Sequence, residues 1–381
     1  MGPLKPTNVM EESRPLYFMT RLYGLSPLRF SRFELINHLH IALIIVGYYV
    51  MFYLIQQPAS VFFEELSILT NTIYFRRIQF LFNLLYLPIM IIPTVNNAKE
   101  IEKVLQEIAY FDEEFRHQLV EFDFKRSMKE DIVHLLTVIL TSLAFNLCDY
   151  YGYLNASRDY TYVILWILYE MPDFFNYLVI CFFGIILLKI RLRFMKINEV
   201  VTDLIQDFTT LSSPPSDIMS ALRMKFLKTH HTKLCNTANL LNKAYSIQLT
   251  AALVSYFFFT CCHVYIISTK LQEVKDLVDV ALSGLWVISN VLKIGYLTFI
   301  CGSTAIQAEL TRYLLTEKHS MRTEHVKLRK ELKDFSRQII SGSVKFTAHN
   351  FCTINYTTFS IALIFWSFFA FLSFHFTWIK K

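Results

Sequence analysis

An all-α membrane protein with seven transmembrane helices is predicted by three observations. The chain carries seven long apolar runs, each near or above the roughly 20 residues that cross ~30 Å of hydrocarbon. Its Lys and Arg collect in alternate segments between those runs. Its composition is 54% hydrophobic with 35 Phe, 21 Tyr and only 18% charged residues, too apolar for a soluble domain, in which ~25% charged is usual.

The runs lie at about Ile36–Ile55, Ile78–Val95, Ile132–Cys148, Tyr162–Ile190, Ala244–Ser268, Ala281–Cys301 and Ile354–Trp378. Counting Lys and Arg, the N-terminal tail holds 5 and the second, fourth and sixth loops hold 6, 8 and 8. The first, third and fifth loops and the C-terminal tail hold 2, 1, 2 and 2, with Lys189, Lys293 and Lys345 left out at run edges. Basic residues stay cytoplasmic, so the N-terminus is expected inside and the C-terminus outside. The first span is expected to serve as its own uncleaved insertion signal. The +6 net charge stands beside the spans, where anionic membrane lipid is the expected partner and nucleic acid has little support. Localisation follows as a multi-pass protein of the plasma membrane.

Between spans the cytoplasmic segments read as long helical extensions. Ala98–Asp131 is charge-rich and mixed in sign. Ser212-Ser213-Pro214-Pro215 breaks the fourth loop, since no helix runs through such a pair. Ser216 and Asp217 then cap a new helix with Ile218, Leu222 and Phe226 on one face. Leu328, Leu332, Phe335 and Ile339 make a single apolar stripe at 4-3-4 spacing, which must pack on something outside lipid. No linker or internal repeat divides the chain, so residues 1–381 read as one domain.

Chemistry of the enzymatic kind is not expected. Phosphate-cradling Gly loops, zinc spacings and nucleophile motifs are absent from the sequence, so no cofactor or metal is called for. His230-His231 and Asp112-Glu113-Glu114 read as solvated faces. The seven Cys are scattered and read as small hydrophobes. Polar residues inside spans carry more weight, because each is costly in lipid. Glu170 and Asp173 flank Met171-Pro172 in the outer part of the fourth run. They line an outward pocket or sit at a frayed helix start among headgroups. His263 and Tyr265 in the fifth span, and Trp286 with Asn290 in the sixth, combine aromatic rings with hydrogen-bonding tips, as a small polar ligand requires. Each one alone is more often an interhelical packing residue. Asn146 and Asp149 close the outer end of the third span, where they join that pocket or just meet water. Lys293 lies deeper and needs a partner or a watery channel. The sequon at Asn155 falls in an outer loop, close to the membrane, as a candidate glycosylation site.

The last sixty or so residues carry a family resemblance. Phe335-Ser336-Arg337-Gln338, Val344-Lys345-Phe346-Thr347-Ala348 and Phe351-Cys352-Thr353-Ile354-Asn355 resemble the C-terminal signature of insect gustatory receptors. Arg14-Pro15-Leu16, Tyr23-Gly24-Leu25-Ser26-Pro27-Leu28, and His231 with Leu234, Asn239, Leu240, Asn242 and Tyr245 fit the same family. Its final motif, Thr-Tyr, five apolar residues and Gln-Phe, falls here on Phe368-Phe369, Ala370 to Phe374 and His375-Phe376. Only the last Phe is retained, so the chain resembles a divergent member. The resemblance implies a chemoreceptor that is a ligand-gated, non-selective cation channel opened by a small extracellular tastant. It implies a homo- or hetero-tetramer with other gustatory receptors, joined by cytoplasmic helices, with cations passing between the seventh spans. Phe369, Leu372, His375 and Phe376 are then the pore and gate residues, with Phe376 as the hydrophobic gate. Alternatively, His375 and Phe376 anchor the helix at the interface. An odorant receptor of the same architecture is the nearest rival. A G-protein-coupled receptor would need the opposite orientation, and its Asp-Arg-Tyr and Asn-Pro-x-x-Tyr motifs are missing from the expected places.

Overall fold

A computed structural model of the chain describes residues 6, 8–16, 18, 34–66, 70–117, 122–157, 162–210, 216–273, 277–317 and 326–379. Among these, the elements run α1 (Val9–Glu12), α2 (Glu34–Leu66), α3 (Thr70–Asn96), α4 (Ala98–Arg116), α5 (Phe124–Ser157), α6 (Tyr162–Thr210), α7 (Asp217–Glu273), α8 (Leu277–Glu317), α9 (Val326–Ser341), a two-strand hairpin β1 (Thr347–Ala348) and β2 (Cys352–Thr353), and α10 (Tyr356–Ile379). Six of the seven apolar runs lie wholly inside a helix, and the last starts two residues before α10. By length and composition, four described helices can cross a membrane: Phe124–Cys148, Asp217–Leu271, Val280–Thr316 and Tyr356–His375. The bent pair Leu81–Asn96 and Ala98–Arg116, at 56° to each other, makes up to five.

Helix α6 has 49 residues, α7 57 and α8 41. At ~1.5 Å rise per residue, each is far longer than ~30 Å of hydrocarbon, so each continues outside it. These three make the frame. The apolar side chains of α6 are almost continuously buried from Phe175 to Ile190, which makes it the central rod. Helix α3 keeps its course through Pro88 and Pro93. It then turns at Asn97, whose amide donates 2.7 Å to the Ala244 carbonyl and pins the corner to α7. Beyond the corner, α4 buries Ile101, Val104, Leu105, Ile108, Phe111 and Phe115 along one side.

The extensions bundle within one subunit. Leu328, Leu332, Phe335 and Ile339 of α9 are all buried, as the stripe requires. Ser216 caps α7, its hydroxyl accepting from the Met219 amide at 3.2 Å. Asp217, expected to share that cap, serves another helix instead. It accepts from the Lys327 and Leu328 amides at 3.2 and 3.0 Å, closing the N-terminus of α9 from across the bundle. Ile218 and Leu222 are exposed, and only Phe226 of that face is covered, its ring against His230. The break at Pro214 and Pro215, and the motif at Tyr23 to Leu28, lie outside the described residues.

Two expectations are corrected here. His230 and His231 are buried rather than solvated. His231 places Nε2 3.0 Å from the Ala308 carbonyl and its ring between Phe194 and Phe335, so it ties α6, α7, α8 and α9 together. Asp112 is likewise buried, in a two-pronged bond to Arg193, while its neighbour Glu113 pairs at the surface with Arg116. All seven cysteines are free. Cys148 and Cys352 are exposed, and the other five are buried or half-buried.

Candidate functional site

A small cavity of about 80 Å³ lies between three helices, walled by Thr141, Ser142, Phe145 and Asn146 of α5, Asp173 and Tyr177 of α6, and Trp286, Ser289, Leu292 and Lys293 of α8. Helical spacing explains the grouping. Residues four apart, such as Asp173 and Tyr177, or three and four apart, such as Trp286, Ser289 and Lys293, share a face. The expected residues Asn146, Asp173 and Trp286 therefore meet. His263 backs the cavity from α7 with its ring parallel to Trp286 at 6.0 Å and 9°. Asn290 is fully buried beside the wall but does not line it, and Tyr265 is half-buried away from it. The side chains of Glu170, Asp149 and Asn155 lie outside the described residues.

Lys293 is the residue that sequence left without a partner. Its ammonium donates 2.5 Å to Asp173 Oδ2. It also sits 5.3 to 5.6 Å from the ring centres of Tyr256, Tyr177 and Trp286. Three aromatic faces and a carboxylate compensate its loss of water, since each ring attracts a cation by ~0.5–2 kcal/mol. Lys293 is only 5% exposed and Asp173 17%, so the acid is the partner that still meets the cavity. A ligand would find a carboxylate edge, the Asn146 amide, two serine hydroxyls and an indole. That set takes hydrogen-bond donors and flat apolar groups. About 80 Å³ is well below the ~300–1,000 Å³ of pockets for drug-sized ligands, so a larger guest must part α5 from α8. Tyr177 and Ser142 went unnoticed in the sequence, although Tyr177 falls one turn after Asp173.

A second buried charge group holds the opposite end. Lys189 is bonded to Glu12 and, at 2.5 Å, to Asp131. Ser127 also donates to Glu12. One turn on, Arg193 spans Asp112 at 3.0 and 2.6 Å and gives 3.0 Å to the Lys189 carbonyl. The α1 segment is thereby fastened to α5 and α6. Between the two groups, Tyr296 bonds His134 at 2.6 Å, and its hydroxyl lies against Gly184, where an added Cβ would come within 2.3 Å.

Helix α10 leaves α8 at Gly302, where a Cβ would meet the Tyr356 ring at 2.8 Å, and passes Phe257, which stacks on Trp366 at 5.7 Å. Among the described side chains of α10 only Ala362 and Trp366 are buried, while Ile361, Ile364, Phe368 and Phe371 are exposed. Phe369 and Leu372 are half-buried, and His375 is exposed with its ring parallel to Phe371 at 6.0 Å. The Phe376 side chain lies outside the described residues.

The family described as 7tm Chemosensory receptor matches residues 13–371 of the chain. Among solved structures, the insect olfactory receptor OR5 from Machilis hrabei is similar in fold, with a TM-score of 0.63 and 12% identity over 96% of this chain and 97% of that one. The same receptor in complex with eugenol gives 0.63 and 10% identity over 96% and 98%. No curated protein matches.

Proposed function

Because this chain belongs to the 7tm chemosensory receptor family, we propose that it is a gustatory-type receptor of the plasma membrane. It acts as a ligand-gated, non-selective cation channel opened by a small extracellular molecule. Seven spans thread the bilayer with the N-terminus cytoplasmic and the C-terminus outside. Four subunits, of this chain alone or with related receptors, surround a cation path lined by α10, with Phe369, Leu372, His375 and Phe376 along it. The taste assignment rests on Arg14-Pro15 and the Cys352–Asn355 stretch. The likeness to an olfactory receptor is a likeness of fold.

The observation that carries the reading is the Asp173–Lys293 pair at the wall of the cavity. It places a hydrogen-bonding carboxylate within reach of a guest, between helices that must separate to admit one. The receptor in the similar structure binds eugenol, a small organic molecule, and a guest of that general size fits the reading. A ligand drives opening only by binding the open arrangement better. Moving the balance from 1:99 to 99:1 takes about 5.5 kcal/mol of such preference, which two or three charge-assisted hydrogen bonds and aromatic contact can supply.

The test is calcium imaging of cells expressing the chain, alone and with candidate partner receptors, against a ligand panel. A response in wild type that Asp173→Asn weakens at least tenfold supports the reading. A response untouched by that change removes the cavity from it. Antibody access to a tag after Lys381 on unbroken cells tests the orientation separately.

A further inference from the structure

A groove of about 280 Å³ opens between α5 and α6 at the end opposite the ligand cavity, with Ser127, Glu130, Asp131 and His134 on one side and Lys189 and Arg191 on the other. Its depth is set by the chain itself. Asp131 precedes Ile132, where the apolar run of α5 begins, and Lys189 precedes Ile190, where that of α6 ends. Both helices leave the hydrocarbon at this level, which is where lipid headgroups lie. Apolar residues Leu192 and Met195 edge the groove, and Val133, Leu136 and Leu140 stand exposed on the adjoining face of α5.

Among the described residues the cations of the groove are paired except for Arg191, and Glu130, paired with Arg126, keeps its exposed side open. Lys189 answers Glu12 and Asp131, and Arg126 answers Glu130 at 2.9 Å. Arg193, one turn from Lys189 and facing the same way, answers Asp112. Arg191, two residues after Lys189, also lines the groove. No carboxylate pairs with it among the described residues, and its Nε is buried with no acceptor. Among the described residues, its guanidinium meets the face of Phe299, 5.9 Å away. A buried guanidinium nitrogen without an acceptor is costly, and a guanidinium fork matches the paired oxygens of a phosphate.

We propose that this groove is a phospholipid site in which Arg191 holds the headgroup phosphate. The carboxylates nearby favour a zwitterionic headgroup over a polyanion, because an ammonium can lie toward Glu130 while the phosphate lies on Arg191. Acyl chains then run along Val133, Leu136 and Leu140. Basic pockets between spans at the headgroup level bind lipid in this way in other membrane proteins. The site does not depend on the receptor reading, only on the helices crossing a bilayer.

The shared chemistry is a phosphate group, and the probes separate its sources. Detergent-purified protein is melted with dioctanoyl-phosphatidylethanolamine, dioctanoylglycerol or inorganic phosphate. The expected result is a saturable rise in melting temperature with the phospholipid alone. Arg191→Gln is expected to weaken that binding at least tenfold, with Arg191→Lys between the two. Equal stabilisation by dioctanoylglycerol or by inorganic phosphate overturns the proposal, as does unchanged binding in Arg191→Gln. Should Arg191→Gln fail to fold, the comparison of phospholipid with dioctanoylglycerol on wild type still decides.

Discussion

Two buried lysines, Lys189 and Lys293, show the difference between a fastener and an adjustable contact. Lys189 is 1% exposed and holds two carboxylates, Glu12 from 177 residues upstream and Asp131 from 58. Among the described residues, the ion pairs of Glu12 and Asp131 are those to Lys189. Lys293 holds one carboxylate and otherwise rests among rings. Rings attract a cation without fixing it to one geometry, and Asp173 adjoins open space. Ionic bonds that link distant segments through two carboxylates, one of them wholly buried, behave as structure. An ion pair at a cavity edge can be exchanged.

The contrast breaks most easily at Lys189. Lys189→Met leaves Glu12 and Asp131 buried without their cation, at a cost of about 3–5 kcal/mol. Loss of folded, detergent-soluble protein on size-exclusion chromatography is expected. Next comes Gly184→Ala between the two sites. The new methyl displaces the Tyr296 hydroxyl from His134, and overpacking of this kind costs about 1–3 kcal/mol. A lower melting temperature that Gly184→Ala/Tyr296→Phe partly restores is the expected outcome.

A smaller effect is expected from His231, which lies before Ala244 and outside the apolar stretch of α7. Burial lowers its pKa from the ordinary 6.5 to about 4, against the opposing bond to the Ala308 carbonyl. The unfolded chain therefore takes up a proton that the folded chain refuses. Stability is full above pH ~6.5, falls as pH drops toward 4 by at most about 1.4 kcal/mol per unit, and then levels. Melting curves at pH 7 and 5 should differ by more in wild type than in His231→Gln. The smallest change in stability belongs to Lys293→Met, about 1 kcal/mol, because Asp173 can turn to cavity water. Its ligand response should nevertheless fall at least tenfold in calcium imaging. A melting loss as large as that of Lys189→Met would erase the distinction between the two lysines.

Sequence pattern revealed what one helix can show by itself. The α9 stripe and the apolar runs announce their buried sides through spacing, and Asp173 and Trp286 stand out as polar or amphipathic residues in lipid-length segments. The inner charge group stayed hidden because its members are far apart in the chain. Asp112 meets Arg193 across 81 residues, and a local reading of Asp112-Glu113-Glu114 sees only a charged run. Phase held a clue, for Asp112 falls four residues after Ile108 and three before Phe115, on the buried face of α4. His230 and His231 were misread for the same reason. The aromatic rings that cover them, Phe115, Phe194 and Phe335, belong to three other helices.

The uninterrupted length of α6 has a mechanical consequence. Asp173 near one end and Asn198 near the other belong to one rod of 49 residues, with Asn198 tied to Gln307 and Thr311 of α8. The 25 residues from Asp173 to Asn198 make roughly 38 Å of helix, so a tilt of about 3° at the cavity moves the Asn198 junction by about 2 Å. Such leverage would deliver a guest's arrival to the far junction as displacement, with no relay of rotamer changes in between.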